Sequence, residues 1–402
     1  MAYRVLTITP WFPNYPEDGR YNFILNSVEA LRQRGNQLAL LVTRPWTPRA
    51  FGWFHSDWQR SKLQKELFDT ALGIQIQQYI SLPRNYCHYA IWELFRLRMA
   101  PKIESMAREI SAQVIHAHTE LAAFAAVPVA RKLGIPVVVT LHGINMATRQ
   151  LDTQKKKARL RKVLAGADQV VLVGEPLRDY FVPLAGGDDN FCVVPNGFFL
   201  PNTLHATDPQ LHATEPQLED ATLRLISISN LHEGKGIDLS LKALAELSQR
   251  GLRDWHYTIV GDGAERSRLE EMVDRKGLRD RVVFLGHLPH LEALSKLANA
   301  DVFLLPSYRE AFGVAYLEAM ASGLLTIGVK GQGPEVFIQD GETGFLVHPL
   351  KVEAIAERLE FIMRNKEECR RIAGRGGDIV TTEFTWERHA EKLMTVYSKV
   401  MR

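Results

Sequence analysis

The 402-residue chain reads as an α/β protein made of two doubly wound parallel sheets. Three observations lead there. Short β-rich apolar runs alternate with helical patterns, the alternation breaks once at a polar tandem repeat, and it then resumes with glycine-rich turns after several strands. In the first series, strands are expected at Arg4–Thr9, Gln37–Val42, Val114–Ala117, Pro136–Leu141, Gln169–Val173 and Phe191–Val194. Helical patterns fill gaps between them at Asn22–Arg34, Ala122–Leu133 and Thr153–Leu164. Near-continuous apolar strands separated by helices mark parallel sheet covered on both faces.

The break is "LHATDPQ" followed at once by "LHATEPQ". A polar, proline-containing duplication is best tolerated in an exposed linker, so the boundary is placed there. The first domain is expected over 1–198, the linker over 199–222 and the second domain over 223–384. The second series has strands at Leu223–Ser229, His256–Val260, Val282–Leu285, Val302–Leu305, Leu324–Val329 and Gly344–Val347. Two Rossmann-like domains with a central cleft are the simplest architecture, with ligands outside the strand C-termini.

Composition bounds the function. Hydrophobic residues make up 46% and charged residues 24%, ordinary for a globular protein. The net charge is +3, but residues 1–200 carry 24 Lys and Arg against 16 Asp and Glu, and residues 201–402 carry 25 against 30. The basic first half suits an anionic partner, such as a phosphorylated acceptor or a membrane surface. That modest charge, with no binding motif, disfavours nucleic acid. Cys87, Cys192 and Cys369 have no metal or disulfide spacing, which points to a reducing compartment. The start lacks a signal peptide, and no apolar run reaches the roughly 18 residues of a spanning helix. A cytoplasmic protein is expected, with peripheral membrane contact as an option.

The chemistry concentrates in "REAFGVAYLEAMASG", Arg309 to Gly323. A turn after the strand at Val302–Leu305 carries Glu310, and a helix begins near Val314 and ends at Gly323. Phe312, Gly313 and Val314 therefore stand at a helix N-terminus, where unpaired N–H groups make an anion site and Gly313 allows close approach. On one helix the two glutamates would lie about 12 Å apart along the axis, too far for the carboxylate pair of a retaining glycosidase. Glu310 and Glu318 can instead bracket an extended anionic ligand. The plainer alternative is a Glu310 that complements the helix dipole and a solvated Glu318. Lys235, between glycines in "GKG", follows a strand and can reach a phosphate. Gly261 in "VGDG" and the "FLGHLPH" turn follow two more strands on the same sheet edge.

These motifs, in the order "GKG", "VGDG", "FLG", "EAFGVAYLEAMASG", "GPEVFIQDGETGFLV" and "FTWERHAEKLMTVY", resemble the nucleotide-sugar-binding domain of GT-B glycosyltransferases of the retaining family-4 type. The resemblance implies that Glu310 bonds the donor sugar and Glu318 the ribose. It implies that backbone around Phe312, Gly313 and Val314 holds the diphosphate, and that Lys235 neutralises the leaving group. Backbone near His287 and Leu288 receives the base. The last helix, after Thr385, crosses back to the first domain. The donor implied is a nucleoside-diphosphate sugar, UDP- or GDP-linked, and the acceptor a glycan or lipid-linked glycan. Where the family often has an arginine five residues before the lysine, this sequence has Asn230, as in a subset of bacterial cell-surface polysaccharide transferases. The first domain resembles the family's acceptor domain more loosely. Gly19 would admit the donor phosphates or acceptor, and His118 and His142 stand at strand C-termini facing the cleft; the family's frequent Asp after the second is Asn145.

Other readings stand beside this one. A sugar epimerase of the same architecture would turn over without acceptor, and a silent sugar-nucleotide-binding protein would not turn over. A nicotinamide oxidoreductase is disfavoured because "GDGAER" lacks the third glycine of a dinucleotide fingerprint. With no Asp-x-Asp motif, no obligatory metal is expected. Lys155, Arg159 and Lys162 share one helical face, read as solvated or as an anionic-membrane contact. "HYAIWELFRLRMAPK" mixes aromatics with basic residues and is a core helix or an interfacial edge.

Overall fold

The computed structural model describes residues 2–16, 21–46, 63–80, 88–143, 153–198 and 222–401. The tandem repeat, Gly19, Cys87 and Asn145 lie outside them. The chain divides into two units, Met1–Gly197 with Trp386–Arg402, and Phe198–Thr385. Phe198 pairs with Thr385 in a short parallel bridge, and its N–H donates to the Phe384 carbonyl at 3.1 Å. That pairing draws Phe198 and Thr385 together into the second unit.

In the first unit, β1 (Arg4–Thr9), β2 (Gln37–Trp46), β3 (Ile74–Ile80), β4 (Val114–His118), β5 (Val137–Leu141), β6 (Gln169–Leu172) and β7 (Phe191–Val193) form one parallel sheet, in the order β3-β2-β1-β4-β5-β6-β7. The strand β3 was not among those expected. Its "IQIQQYI" alternates instead of running apolar, because it is an edge strand and is not buried on both faces. Helices α1 (Asn22–Gln33), α2 (His88–Glu109), α3 (Glu120–Leu133), α4 (Gln154–Gly166) and α5 (Arg178–Ala185) follow strands. Local chemistry sets their ends. Thr119 caps α3 by accepting from the Ala122 N–H at 3.3 Å, and Gly134 stops it in a left-handed conformation, φ 65°.

The C-terminal helix, Trp386–Val400, belongs to this unit. Trp386, Ala390, Leu393 and Tyr397 are buried in the core that holds β1, β2 and α1. Ser27 on α1 bonds His389 Nε2 at 2.8 Å, and Arg34 pairs with Glu391 at 2.7 Å.

The second unit holds β8 (Leu223–Ile228), β9 (Trp255–Val260), β10 (Val282–Gly286), β11 (Val302–Leu304), β12 (Leu325–Val329) and β13 (Phe345–Val347) in the order β10-β9-β8-β11-β12-β13, again all parallel. Both sheets are therefore doubly wound and Rossmann-like. In each, strand order reverses between the first and fourth strands, β1 and β4 in one and β8 and β11 in the other. The crevice outside the C-terminal ends of that pair is where such sheets take ligands.

One glycine at this edge is required by space. Gly261, just after β9, has φ 134°, and an added Cβ would lie 1.8 Å from the Ser229 carbonyl oxygen. Gly251 also has a positive φ, 87°, but nothing stands within 4 Å of its Cβ position. Gly261→Ala is expected to cost about 3 kcal/mol or more, from backbone strain plus overpacking, and Gly251→Ala only the strain. Denaturant unfolding of both variants checks this; equal costs would refute the close-approach argument.

Candidate active site

The second unit gathers most of the residues singled out in the sequence. Lys235 follows β8 in a short 3-10 turn, and Glu310 follows β11. Each thus leaves one of the two strands that flank the reversal. Lys235 Nζ meets Glu310 Oε2 at 2.7 Å, with the side chains 18% and 12% exposed. The pair spans the reversal. Gly236, next to the lysine, has φ 69°, and its Cβ position is 2.2 Å from the Pro306 carbonyl oxygen. Only glycine lets the Lys235 turn close on the β11 turn.

Glu310 is fixed from a third strand as well. Its N–H donates to Gln332 Oε1 at 2.9 Å, and its carbonyl accepts from the Gly333 N–H at 2.9 Å. Gly333 lies against the Phe312 backbone, 2.4 Å from its Cβ position to the Phe312 Cα. The turn after β12 is therefore locked onto the Glu310–Phe312 turn.

The helix α9 runs from Val314 to Ala321 (α6 to α8 being Ile237–Gln249, Arg266–Arg275 and His290–Ser295). Gly313 precedes it in a left-handed conformation, φ 93°. Glu310 lies outside the helix and Glu318 inside it, as the pattern predicts. Phe312 is buried. Its side chain is 3% exposed and packs edge-on to Phe337, ring centroids 5.6 Å apart.

Glu318 is not solvated. It is 6% exposed, and its Oε1 meets His290 Nε2 at 2.8 Å. Burial pulls the His290 pKa down, but the Glu318 carboxylate, by hydrogen bond and charge, raises it above the ordinary histidine value. A solvated Glu318 is therefore ruled out, and Glu310 has a specific cationic partner in Lys235 from another turn. His290 starts α8 and lies 28 residues from Glu318 in sequence, so no local spacing connects them.

Asn230 is exposed just beyond β8. His287 is exposed and Leu288 half-buried after the edge strand β10, where Gly286 has φ 74°. Gly261 follows β9 on the same sheet edge.

In the first unit, His118 ends β4 and His142 follows β5. Neither is isolated: His118 Nδ1 lies 2.9 Å from His142 Nε2, rings stacked at 5.2 Å. His116, missed in the sequence, stacks on His118 at 4.2 Å and bonds Tyr397 Oη and Thr140 Oγ1, each at 2.7 Å. The neighbouring strand faces carry these residues, so only the β4–β5 register brings them together. Burial pushes His118 down to about 3, with His389 adding repulsion, and holds His116 and His142 well below the usual histidine range. His142 Nδ1 is buried and meets no hydrogen-bond partner among the described residues. Trp11 and Phe23 flank its ring at 5.9 and 4.8 Å.

One expectation is corrected. Arg159 does not share a solvated face with Lys155 and Lys162. It is 8% exposed and lies over the Trp92 and Phe124 rings at 4.9 and 5.6 Å, a cation–π site in the core, while both lysines stay exposed.

Two doubly wound Rossmann-like sheets are the architecture of the GT-B glycosyltransferases. The family model "Glycosyl transferases group 1" matches residues 212–377, and "Glycosyltransferase Family 4" matches 21–199. The chain belongs to the family-4 type of GT-B glycosyltransferases. It is 26% identical to alpha-D-kanosaminyltransferase of Streptomyces kanamyceticus, over 73% of this chain and 78% of that one. It is 27% identical to N-acetyl-alpha-D-glucosaminyl L-malate synthase of Bacillus anthracis, over 80% of this chain and 85% of that one. Its fold matches the crystal structure of Anabaena HepE in complex with UDP, with a TM-score of 0.73 and 20% identity, covering 98% of this chain and 100% of that one.

Proposed function

We propose that the protein is a retaining, metal-independent glycosyltransferase that moves a sugar from a UDP- or GDP-linked donor to a hydroxyl of a glycan or lipid-linked glycan, in cell-surface polysaccharide biosynthesis. The observation that carries this reading is the Lys235–Glu310 pair spanning the strand reversal of the second sheet. The crevice offers a cation for a diphosphate, a helix start for its oxygens and a carboxylate for sugar hydroxyls. Lys235 would leave Glu310 for the diphosphate as charge builds on the leaving group, a contact that strengthens toward the transition state. Glu310 would then be free to accept from the donor sugar, and Glu318 from the ribose. Backbone after Gly286, at His287 and Leu288, would take the base, with the turns at Asn230 and Gly261 beside the diphosphate.

Among the described residues no side chain is set up as an enzymic nucleophile, so front-face attack through an oxocarbenium-like transition state is the proposed route, with the leaving diphosphate helping to deprotonate the acceptor. His118 and His142, both held neutral, can donate or accept hydrogen bonds without carrying charge, which suits contact with sugar hydroxyls. The proposed location is cytoplasmic, at the inner face of the membrane when the acceptor is lipid-linked; no described helix is long and apolar enough to cross a membrane.

A thermal-shift screen against UDP, GDP, ADP and their sugars selects the donor, since a ligand of the native state raises stability with the logarithm of its concentration over Kd. Transfer with that donor in EDTA, with the product anomer read by NMR, tests the rest. Retention of configuration and full activity in EDTA are expected; inversion or loss of activity contradicts the reading.

His290 is expected to act through Glu318. His290→Ala leaves a buried carboxylate without its partner, and should raise the donor KM about tenfold with a smaller change in kcat. His290→Gln, which keeps an N–H donor, should recover most of the loss. Steady-state kinetics separate this from a general loss of fold.

A further inference from the structure

We propose that an apolar groove on the first unit binds the hydrocarbon chain of a single phosphate-bearing lipid. One wall is the outer face of α2. Leu94, Leu97 and Arg98 share that face by their spacing, while Trp92, Phe95, Met99 and Ile103 fill the buried one. Leu94 is 51% and Leu97 59% exposed, where a surface helix ordinarily shows polar residues. The other wall is the sheet edge. Tyr79 and Ile80 close β3, and Trp46 on β2 sits in register beside Ile80. Trp46 and Ile80 are each 48% exposed. Together with Gln78, these six residues line a cavity of about 530 Å³, within the range of small-molecule sites.

Contiguous exposed apolar surface of this kind marks a binding site. The edge strand adds to the case: "IQIQQYI" carries none of the charges that usually guard a sheet edge. The shape is a groove between a strand and a helix, which fits one chain better than the plane of a bilayer.

The rim supplies the second half of the chemistry. Arg98 lines the cavity, and among the described residues no carboxylate pairs with it, whereas its neighbour Arg96 is held by Glu93 at 2.8 Å. Lys102, four residues on, adds positive charge along the same helix. Apolar walls with a free guanidinium complement an amphiphile with an anionic head.

The groove also has a position that suits an acceptor. Trp46 and Ile80 are the last residues of β2 and β3, on the same sheet edge as His118 at the end of β4. In the order β2-β1-β4, two strand spacings, about 10 Å, separate β2 from His118 across the sheet, and Trp46 lies four residues, about 13 Å, farther along its strand than the level of His118. Calling this lipid the acceptor rests on the transferase reading; the binding site itself does not.

Dodecyl phosphate, kept below its micelle concentration and titrated calorimetrically into the full chain, tests the proposal. Saturable one-to-one binding is expected. Leu97→Glu and Arg98→Gln should each weaken it about tenfold or more, and both residues are exposed enough for the variants to fold, as an unchanged Tm will verify. Nucleoside-diphosphate binding by the same variants should stay at the wild-type level, so a failure of this site is distinguishable from a failure of the transferase reading. Absence of dodecyl phosphate binding, or binding indifferent to both substitutions, overturns the proposal. So does binding only to phosphatidylglycerol vesicles, which makes the face a membrane contact, or a dimer that Leu97→Glu dissociates, which makes it an interface between copies.

Discussion

Lys235→Ala and Glu310→Ala are each expected to lower sugar transfer by about a hundredfold or more while the protein stays folded. The two side chains form one ion pair across the strand reversal, at 2.7 Å. In the proposed reaction they part and each takes a different piece of the donor. Removing Lys235 deletes a charge aimed at the leaving diphosphate, and losses of a preformed electrostatic contact of that kind run to about 3 kcal/mol or more in the barrier. Removing Glu310 deletes the acceptor for sugar hydroxyls and leaves Lys235 without its resting partner. The loss should fall mainly on kcat for Lys235→Ala, because that contact strengthens as the bond breaks. Single-turnover rates with circular dichroism on the same samples check both points. Near-normal transfer in both variants would remove this pair from the mechanism.

The first unit should be acid-labile. His116, His118, His142 and His389 are buried and held neutral, His118 at about 3 and His389 at about 4, with burial the main cause in each. These are folded-state values depressed below the unfolded value near 6.5. Between that value and the folded pKa, the unfolded chain binds protons that the folded chain does not. Stability from these groups is therefore full above about pH 6.5 and is lost as pH falls, with a slope approaching about 1.4 kcal/mol per pH unit for each histidine. Glu120 and Glu29, whose carboxyls burial pushes up, work in the opposite direction at the acid end of this window. Four histidines outweigh them between pH 6.5 and 5. Denaturant unfolding across that range should show the decline. His389→Gln, which removes one titrating ring bonded to Ser27 and the Pro195 carbonyl, should reduce the slope by about one proton. An unchanged slope would mean that His389 is not kept neutral by the fold.

The strands that the sequence makes obvious are those buried on both faces, such as Val137–Leu141 and Leu325–Val329, where every residue is buried. β3 escaped because an edge strand alternates, and its pattern has no run to detect. The Glu310–Phe312 turn and the start of α9 were legible because a glycine, a helix of good formers and a carboxylate at fixed spacing are local signals. The partners of those carboxylates were not. Lys235 reaches Glu310 from 75 residues away, and His290 reaches Glu318 from 28. Strand order decides those contacts, and no short window of sequence contains it. Arg159 was misread for a related reason: helical spacing puts it on a face with two lysines, but Trp92 and Phe124, contributed by α2 and α3, cover its end of that face. His116 lies within two residues of His118, yet its role depends on Tyr397, which arrives with the last helix.

Calorimetric titration of UDP, GDP and ADP into the wild type and into Lys235→Ala and Glu318→Ala tests the central claim most directly, that the crevice between β8 and β11 holds a nucleoside diphosphate. At least one of the three should bind the wild type with one-to-one stoichiometry, and both substitutions should weaken that ligand by about tenfold or more. Absence of binding by all three, or binding that neither substitution changes, would contradict it.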